Sequence, residues 1–342
     1  MKKSIKSQLS IKSDLKSYMQ FIVFGLLLIL IPLLNLVGVI STSNLTIIGS
    51  VIFYAIVGMG LSILLGYSGL VSLGTAGFMG LGSYIQAYLT MDKEWPFLIA
   101  LIFSILIPVL IGLVIGLISL RLEGYYLAIA TLGVSEILRK MFEQFDKYTN
   151  SFSGKRGDYP NLFFNSFELD KNYTFILMVI VLVIVMILLH NLINSQTGRA
   201  LLTMRGSEAA AQAMGINILK YKLIAFGTAT ALAALGGALY NHYTRYTYPD
   251  TWQLMLSLNL IGIIVIGGMN NLFGVFLGSF ILFGIPDMVL KQIGFIKNVD
   301  GLQYILSGVL VIIIVLYYPG GLINIFKDAK KLFQKKQGDQ DE

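Results

Sequence analysis

Cysteine is absent from the 342 residues, and only two histidines, His190 and His242, are present. No disulfide framework or thiolate metal site is therefore available, and two imidazoles are too few for a histidine-built metal cluster. Charge is also scarce: Asp, Glu, Lys and Arg make up 13% of the chain, about half the share of an ordinary soluble domain. The sole Gly-Lys pair is Gly154-Lys155. It has Thr149 where a phosphate-binding Walker A loop needs its first glycine and Arg156 where that loop needs Ser or Thr. ATP hydrolysis by this chain is not expected, and no nucleophile, metal cluster or acid-base pair suggests an enzyme.

What is abundant is apolar: hydrophobic residues supply 56% of the sequence. A helix needs about 20 apolar residues to cross a hydrocarbon core, because in lipid each backbone amide must find its partner within the helix. Such stretches fall at approximately 18–40, 44–65, 70–91, 96–119, 122–143, 173–194, 221–241, 252–269, 272–290 and 302–319. The expected fold is an all-α polytopic membrane protein of about ten spans. The fifth span carries Glu123, Glu136 and Arg139, and the ninth contains Pro286 and Asp287, so each is either continuous or else broken, tilted or re-entrant. The basic start, MKKSIKSQLSIKSDLK, precedes an apolar run longer than the core of a secretory signal, which points to a retained first helix.

Placing the amino terminus in the cytoplasm puts 15 of the 25 Lys and Arg on the inner side, against 7 of the 18 acidic residues. That bias follows the positive-inside rule. It predicts cytoplasmic termini, with a basic segment at 1–17, a transmembrane region over 18–322 and a charged tail at 323–342. A segment at 195–220 then also faces the cytoplasm, and a loop at 144–172 lies outside. Anionic lipid headgroups account for the net charge of +7, so no nucleic-acid partner is implied.

The 195–220 segment is polar, basic and alanine-rich between two apolar runs. Ser207 suits a helix cap and Glu208 favours the positive end of the helix dipole. The alanines that follow have the highest helix propensity, and Gly215 supplies a left-handed stop. A helix of about two turns is expected, too short to be stable alone in water and therefore held by neighbours. It is either an ordinary loop helix or an element that passes force to a partner outside the bilayer.

GRALLTMRGSEAAAQAMGINILKYKLIAFGTATALAALGGALY, at 198–240, resembles the coupling segment and following helix of bacterial branched-chain amino-acid ABC-transporter permeases of the LivM type. GYSGLVSLGTAGFMGLGSYIQAYL (66–89), LRLEGYYLAIATLGVSEILR (120–139), IGGMNNLFGVFLGSF (266–280) and YYPGGL (317–322) resemble further blocks of that family in the same order. The resemblance implies an ABC importer permease fold in the bacterial inner membrane, with broken or re-entrant helices. It implies a homologous second permease, two cytosolic ATPases that use ATP and Mg, and an extracytoplasmic substrate-binding protein; this chain itself binds no cofactor. Glu208, Ala209, Ala210 and Gly215 match the family's coupling motif, and Arg199 and Arg205 are candidates to meet acidic groups on an ATPase. The glycine follows the glutamate by seven residues, where the broader importer consensus has six. SFSGKRGDYP, at 151–160, departs from the family's glycine-rich pattern on the side that receives the binding protein. Leucine, isoleucine and valine lead as substrates by resemblance; related permeases carry urea, other amino acids, nucleosides or sugars. A secondary transporter or channel is the alternative of another class, but it has no need of the short helix.

Glycines crowd the second and third predicted spans. They serve either close helix packing or the unwinding of a helix whose amides then face a substrate. In the second reading Ser72, Gly74, Thr75, Gly77, Ser83 and Thr131 are candidates for the translocation path. Glu136 is either a path contact or the partner of Arg139 and Lys140 on the same helical face. Asn270 and Asn271 fall at a predicted inner turn, where a helix cap is expected. Glycine-rich helix pairs at 58–85 and 262–289 hint at a duplicated half.

Overall fold

The computed structural model describes residues 2–119, 124–161, 169–292, 302–318 and 321–322. Arg121, Glu123 and the 323–342 tail lie outside the described residues. The described residues are almost wholly helical. In order, the helices are α1 (Lys2–Leu36), α2 (Thr42–Leu61), α3 (Thr75–Ala87), α4 (Phe97–Ser119), α5 (Tyr125–Gln144), α6 (Asp146–Thr149), α7 (Lys171–Asn194), α8 (Gln196–Gly206), α9 (Glu208–Ala213), α10 (Ile218–Thr244), α11 (Leu254–Gly267), α12 (Leu272–Ser279), α13 (Ile285–Gln292) and α14 (Leu302–Tyr317). Wider π-helical turns extend α2 over Ser62–Tyr67, α3 over Tyr88–Asp92 and α12 over Phe280–Gly284. Two short strands, β1 (Lys155–Arg156) and β2 (Tyr246–Thr247), pair antiparallel with Lys155 opposite Thr247.

Six helical stretches among the described residues are long and apolar enough to cross a membrane, and two shorter apolar helices, Leu254–Gly267 and Ile305–Ile314, accompany them. This is a multi-pass membrane protein; six of the ten expected stretches meet that length and apolarity, and the other four coincide with the shorter or more polar helices α3, α5, α11 and α14. The third expected span is shortened to α3, with its amino end opened into an irregular segment at 68–74. The fifth expected span is the 20-residue α5, which carries Glu136, Arg139, Lys140 and Glu143 and so is not counted among the apolar six.

The ninth expected span, 272–290, is present and continuous. Leu272–Val289 runs as one helical stretch through Pro286. Proline has no amide to donate to the carbonyl four residues earlier. Here that carbonyl, of Leu282, accepts instead from the Ser307 hydroxyl of α14 at 3.1 Å, and the π-turn lies just before the proline.

The core is built around α2 and α10. Of the α2 span 83% is buried, against 22% for the spans in α1 and α4, whose apolar outer faces suit lipid. Helix α10 packs against α2, α3 and α4. Glycine permits this approach: a Cβ on Gly237 would lie 1.8 Å from the Met79 carbonyl oxygen, and one on Gly82 would lie 2.3 Å from that of Ala234. Small residues are the usual means of bringing membrane helices together, since lipid supplies no hydrophobic drive between them. The result is a bundle with α8–α9 at one end and the β-ribbon at the other.

Candidate functional site

The α8–α9 end is built from local signals. Ser195 opens α8 by accepting from the Thr197 amide at 3.1 Å, and Ala200, Leu201 and Met204 seat that helix on the bundle. Ser207, in extended conformation, closes α8 and caps α9 by accepting from the Ala210 amide at 3.2 Å. Helix α9 ends at Gly215, whose φ of 80° lies in the left-handed region. There the Ile216 amide bonds the Ala211 carbonyl at 3.0 Å and the Gly215 amide bonds that of Gln212 at 2.9 Å, the double closure a left-handed glycine permits. The expected short helix, its cap and its stop are all present. Ala211 points inward, while Ala209, Ala210 and Met214 are exposed.

Glu208 and Arg205 each reach a partner on the bundle. Glu208 Oε1 lies 2.7 Å from Lys222 Nζ in the first turns of α10, with the lysine side chain 6% exposed and the glutamate 42%. The Arg205 guanidinium donates to the carbonyl of Gly66 at the end of the α2 π-turn, and its stem lies beside Gly69. Asn270, with its amide oriented to satisfy both groups, donates to the same Gly66 carbonyl at 3.0 Å and to that of Met269 at 3.2 Å, while Tyr67 Oη donates to the Asn270 carbonyl at 3.2 Å. The tip of α8, the end of α2 and the 268–271 turn thus meet at one point. Arg199 is exposed and donates to the Asn194 carbonyl at 3.2 Å. Sequence reasoning missed Lys222 and Gly66; the only signal for Lys222 was a charge entering an apolar helix.

Several path candidates around the start of α3 have partners, whereas the Ser83 hydroxyl is buried with none among the described residues. Thr131 Oγ1 accepts from the Leu73 amide at 3.0 Å, and Ser135 Oγ from that of Gly77 at 2.9 Å. Ser72 Oγ accepts from the Gly74 amide at 3.2 Å, and Ser257 Oγ from that of Ala76 at 3.0 Å. These hydroxyls serve the donors that the start of α3 leaves free. The cavity beside Ser72 and Thr75 holds about 10 Å³, too small for an amino acid, and Ser83 is fully buried. Glu136 pairs with Arg139 at 2.5 Å, whereas Lys140 pairs with Glu143 at 2.7 Å. Asn271 caps α12, accepting from the Gly274 amide at 3.0 Å. The two glycine-rich helix pairs each contain a glycine with positive φ, Gly69 and Gly268.

At the opposite end, part of the 151–160 stretch forms the ribbon. Lys155 is buried, with Nζ 2.5 Å from Asp92 Oδ2 and 5.2 Å from the Tyr88 ring centroid. Asp158 accepts from Arg245 at 3.0 Å, and this hydrogen bond raises the arginine pKa further. Trp252 donates to Thr247 Oγ1 at 3.1 Å beneath the ribbon.

Residues 43–315 match the family model described as branched-chain amino acid transport system / permease component. The chain is 27% identical to the high-affinity branched-chain amino acid transport system permease protein LivM of Salmonella typhimurium, over 86% of this chain and 73% of that protein. It is equally 27% identical to LivM of Escherichia coli, over 86% of this chain and 72% of that protein. A probable LivM of Methanocaldococcus jannaschii is 29% identical over 65% of this chain and 68% of its own length. No solved structure gives a significant match to the chain. With the family model spanning most of its length and the helical bundle formed as described, this chain belongs to the permease components of branched-chain amino acid transport systems.

Proposed function

We propose that this chain is the membrane-spanning permease subunit of an ATP-driven importer for branched-chain amino acids, in a bacterial inner membrane with both termini cytoplasmic. A homologous permease completes the translocation path, two cytosolic ATPases supply the energy, and an extracytoplasmic protein delivers the substrate. One observation supports the coupling role above all: α9 offers an exposed face of Ala209 and Ala210 while Glu208 and, from α8, Arg205 anchor the knob inward to α10 and α2.

Small side chains let a partner approach the α9 backbone closely. ATPase closure then pushes a short, capped element rather than a loose loop. Arg205 carries that displacement to Gly66, where the helix is already opened by its π-turn, and Lys222 carries it to the base of α10. A packed bundle answers such a push by shifting helices as bodies. Arg199, exposed beside the knob, meets acidic groups on the ATPase. Glu136 and Arg139 on α5 border the path that the second permease encloses. Ser72 and Thr131 hold the broken start of α3 beside it, and Gly74, Thr75, Gly77 and Ser83 lie along that path on the same stretch of chain.

The test is uptake of labelled leucine, isoleucine and valine into liposomes holding the whole transporter, with and without ATP. The double substitution Glu208→Ala with Gly215→Trp is expected to abolish uptake while the subunits still assemble. Undiminished uptake by that variant, or entry that continues without the ATPases, would overturn the reading.

A further inference from the structure

Between α3 and α5, towards the ribbon end, runs a groove of about 290 Å³ with apolar walls. Tyr84 and Tyr88 come from α3 and its π-turn, Leu138 and Phe142 from α5, and Phe145 and Tyr148 from the chain just beyond it. Phe142 is buried, whereas Phe145 and Tyr148 stay exposed, so apolar surface lies open along the seam. Tyr88 and Tyr148 form the ribbon-side end of the groove, with ring centroids 5.2 Å apart in a T-shaped pair.

Two lysines stand over that pair. Lys93 Nζ lies 5.8 Å from the Tyr88 ring centroid, and Lys147 Nζ 5.8 Å from that of Tyr148. Among the described residues neither lysine is in an ion pair. The nearby carboxylates are engaged elsewhere: Asp92 pairs with Lys155, Glu143 with Arg139 and Lys140, and Asp146 accepts from the Ser151 hydroxyl at 3.2 Å. Glu94 lines a separate cavity with Trp95 and Tyr159. Lys93 precedes the apolar span that begins at Phe97, and Lys147 follows the end of α5 at Gln144. Both lysines therefore sit at helix ends, the level of lipid headgroups, where tyrosine and tryptophan are also usual.

We infer that this groove binds an anionic phospholipid, with its acyl chain between α3 and α5 and its phosphate at Lys93 and Lys147. The chain gains packing against the aromatic walls, and unmatched ammonium groups attract an anionic headgroup. A helix of the second permease fits the slot less well. At 100° per residue Leu138 falls on the face of α5 opposite Glu136, the residue placed at the border of the path, and a helix offers the two lysines no phosphate. The site requires only that this end of the bundle meet a membrane surface, so it does not depend on the importer reading or on the substrate.

The whole transporter is placed in phosphatidylcholine nanodiscs holding a small share of phosphatidylglycerol whose acyl chain bears a diazirine, and crosslinked peptides are identified by mass spectrometry. Labelling is expected on the peptides covering residues 84–88 and 138–148. Lys93→Gln and Lys147→Gln are each expected to lower it about 5-fold, while Lys93→Arg with Lys147→Arg should keep it. Lys220→Gln removes an equal charge from the first turn of α10, beside α9, and should leave labelling unchanged. The same diazirine chain carried on phosphatidylcholine should label the groove no more than phosphatidylglycerol labels the variant lacking both lysines. An unchanged elution volume in size-exclusion chromatography shows that each variant is assembled. Equal labelling by the two lipids, or labelling that survives loss of both lysines, would reveal a seam indifferent to the headgroup and overturn the proposal. Groove peptides left unlabelled in the whole transporter would overturn it as well, since another subunit would then close the groove.

Discussion

Lys222 is nearly enclosed, so its ammonium depends on Glu208, whereas the glutamate keeps 42% of its side chain in contact with solvent. The two halves of this pair should therefore be unequal in mutation. Glu208→Ala strands a buried charge and is expected to destabilise the protein by about 1–3 kcal/mol. Lys222→Met leaves a carboxylate that water can serve and should cost less than about 1 kcal/mol. Thermal unfolding of the purified protein measures both, and the reverse order would contradict the burial argument. Two glycines of α8 offer a second comparison. A Cβ on Gly198 would sit 1.9 Å from the Ile193 carbonyl oxygen, while one on Gly206 would meet nothing within 4 Å. Gly198→Ala should thus displace α8 from α7 and lower expression, and Gly206→Ala should be tolerated or stabilise by about 0.5–1 kcal/mol.

Helices reveal which of their ends can be read locally. The boundaries of α9 were legible because Ser207 and Gly215 act within a few residues of themselves. The break in the third expected span and the continuity of the ninth were not, because both depend on hydroxyls from distant helices. Thr131, Ser135 and Ser257 make the opened start of α3 tolerable, and Ser307 makes Pro286 tolerable. No periodicity in the local sequence announces such a partner. Ser72 and Thr131 illustrate the same limit: their residue types were apparent, but their bonds to the amides at the start of α3 required the fold. The proline case can be tested by a double-mutant cycle. Ser307→Ala alone leaves the Leu282 carbonyl without a donor and should cost about 1–2 kcal/mol. In a Pro286→Ala background the restored amide at position 286 can serve that carbonyl, so the same substitution should cost much less. Equal costs in both backgrounds would mean that Ser307 does not replace the missing amide.

Across the whole molecule, the proposed coupling requires the two ends to lie on opposite sides of the membrane, and the absence of cysteine makes that sidedness directly measurable. Phe152, beside the ribbon, is 67% exposed, and Met214, beside the α9 knob, is 73% exposed. A thiol introduced at either position is the only one in the chain. With a membrane-impermeant maleimide applied to intact spheroplasts, Phe152→Cys should react and Met214→Cys should not; both should react once the membrane is opened. That pattern follows from the excess of Lys and Arg near the α8–α9 end and the termini, since translocating such segments is disfavoured. In opened membranes, binding of the ATPases should then protect Met214→Cys while leaving Phe152→Cys reactive, because in the proposed orientation only the knob is in reach of a cytosolic partner. Reaction of Met214→Cys from outside in sealed spheroplasts would invert the chain, place the knob where no ATPase can meet it, and remove the route by which closure of that partner reaches Gly66 and α10.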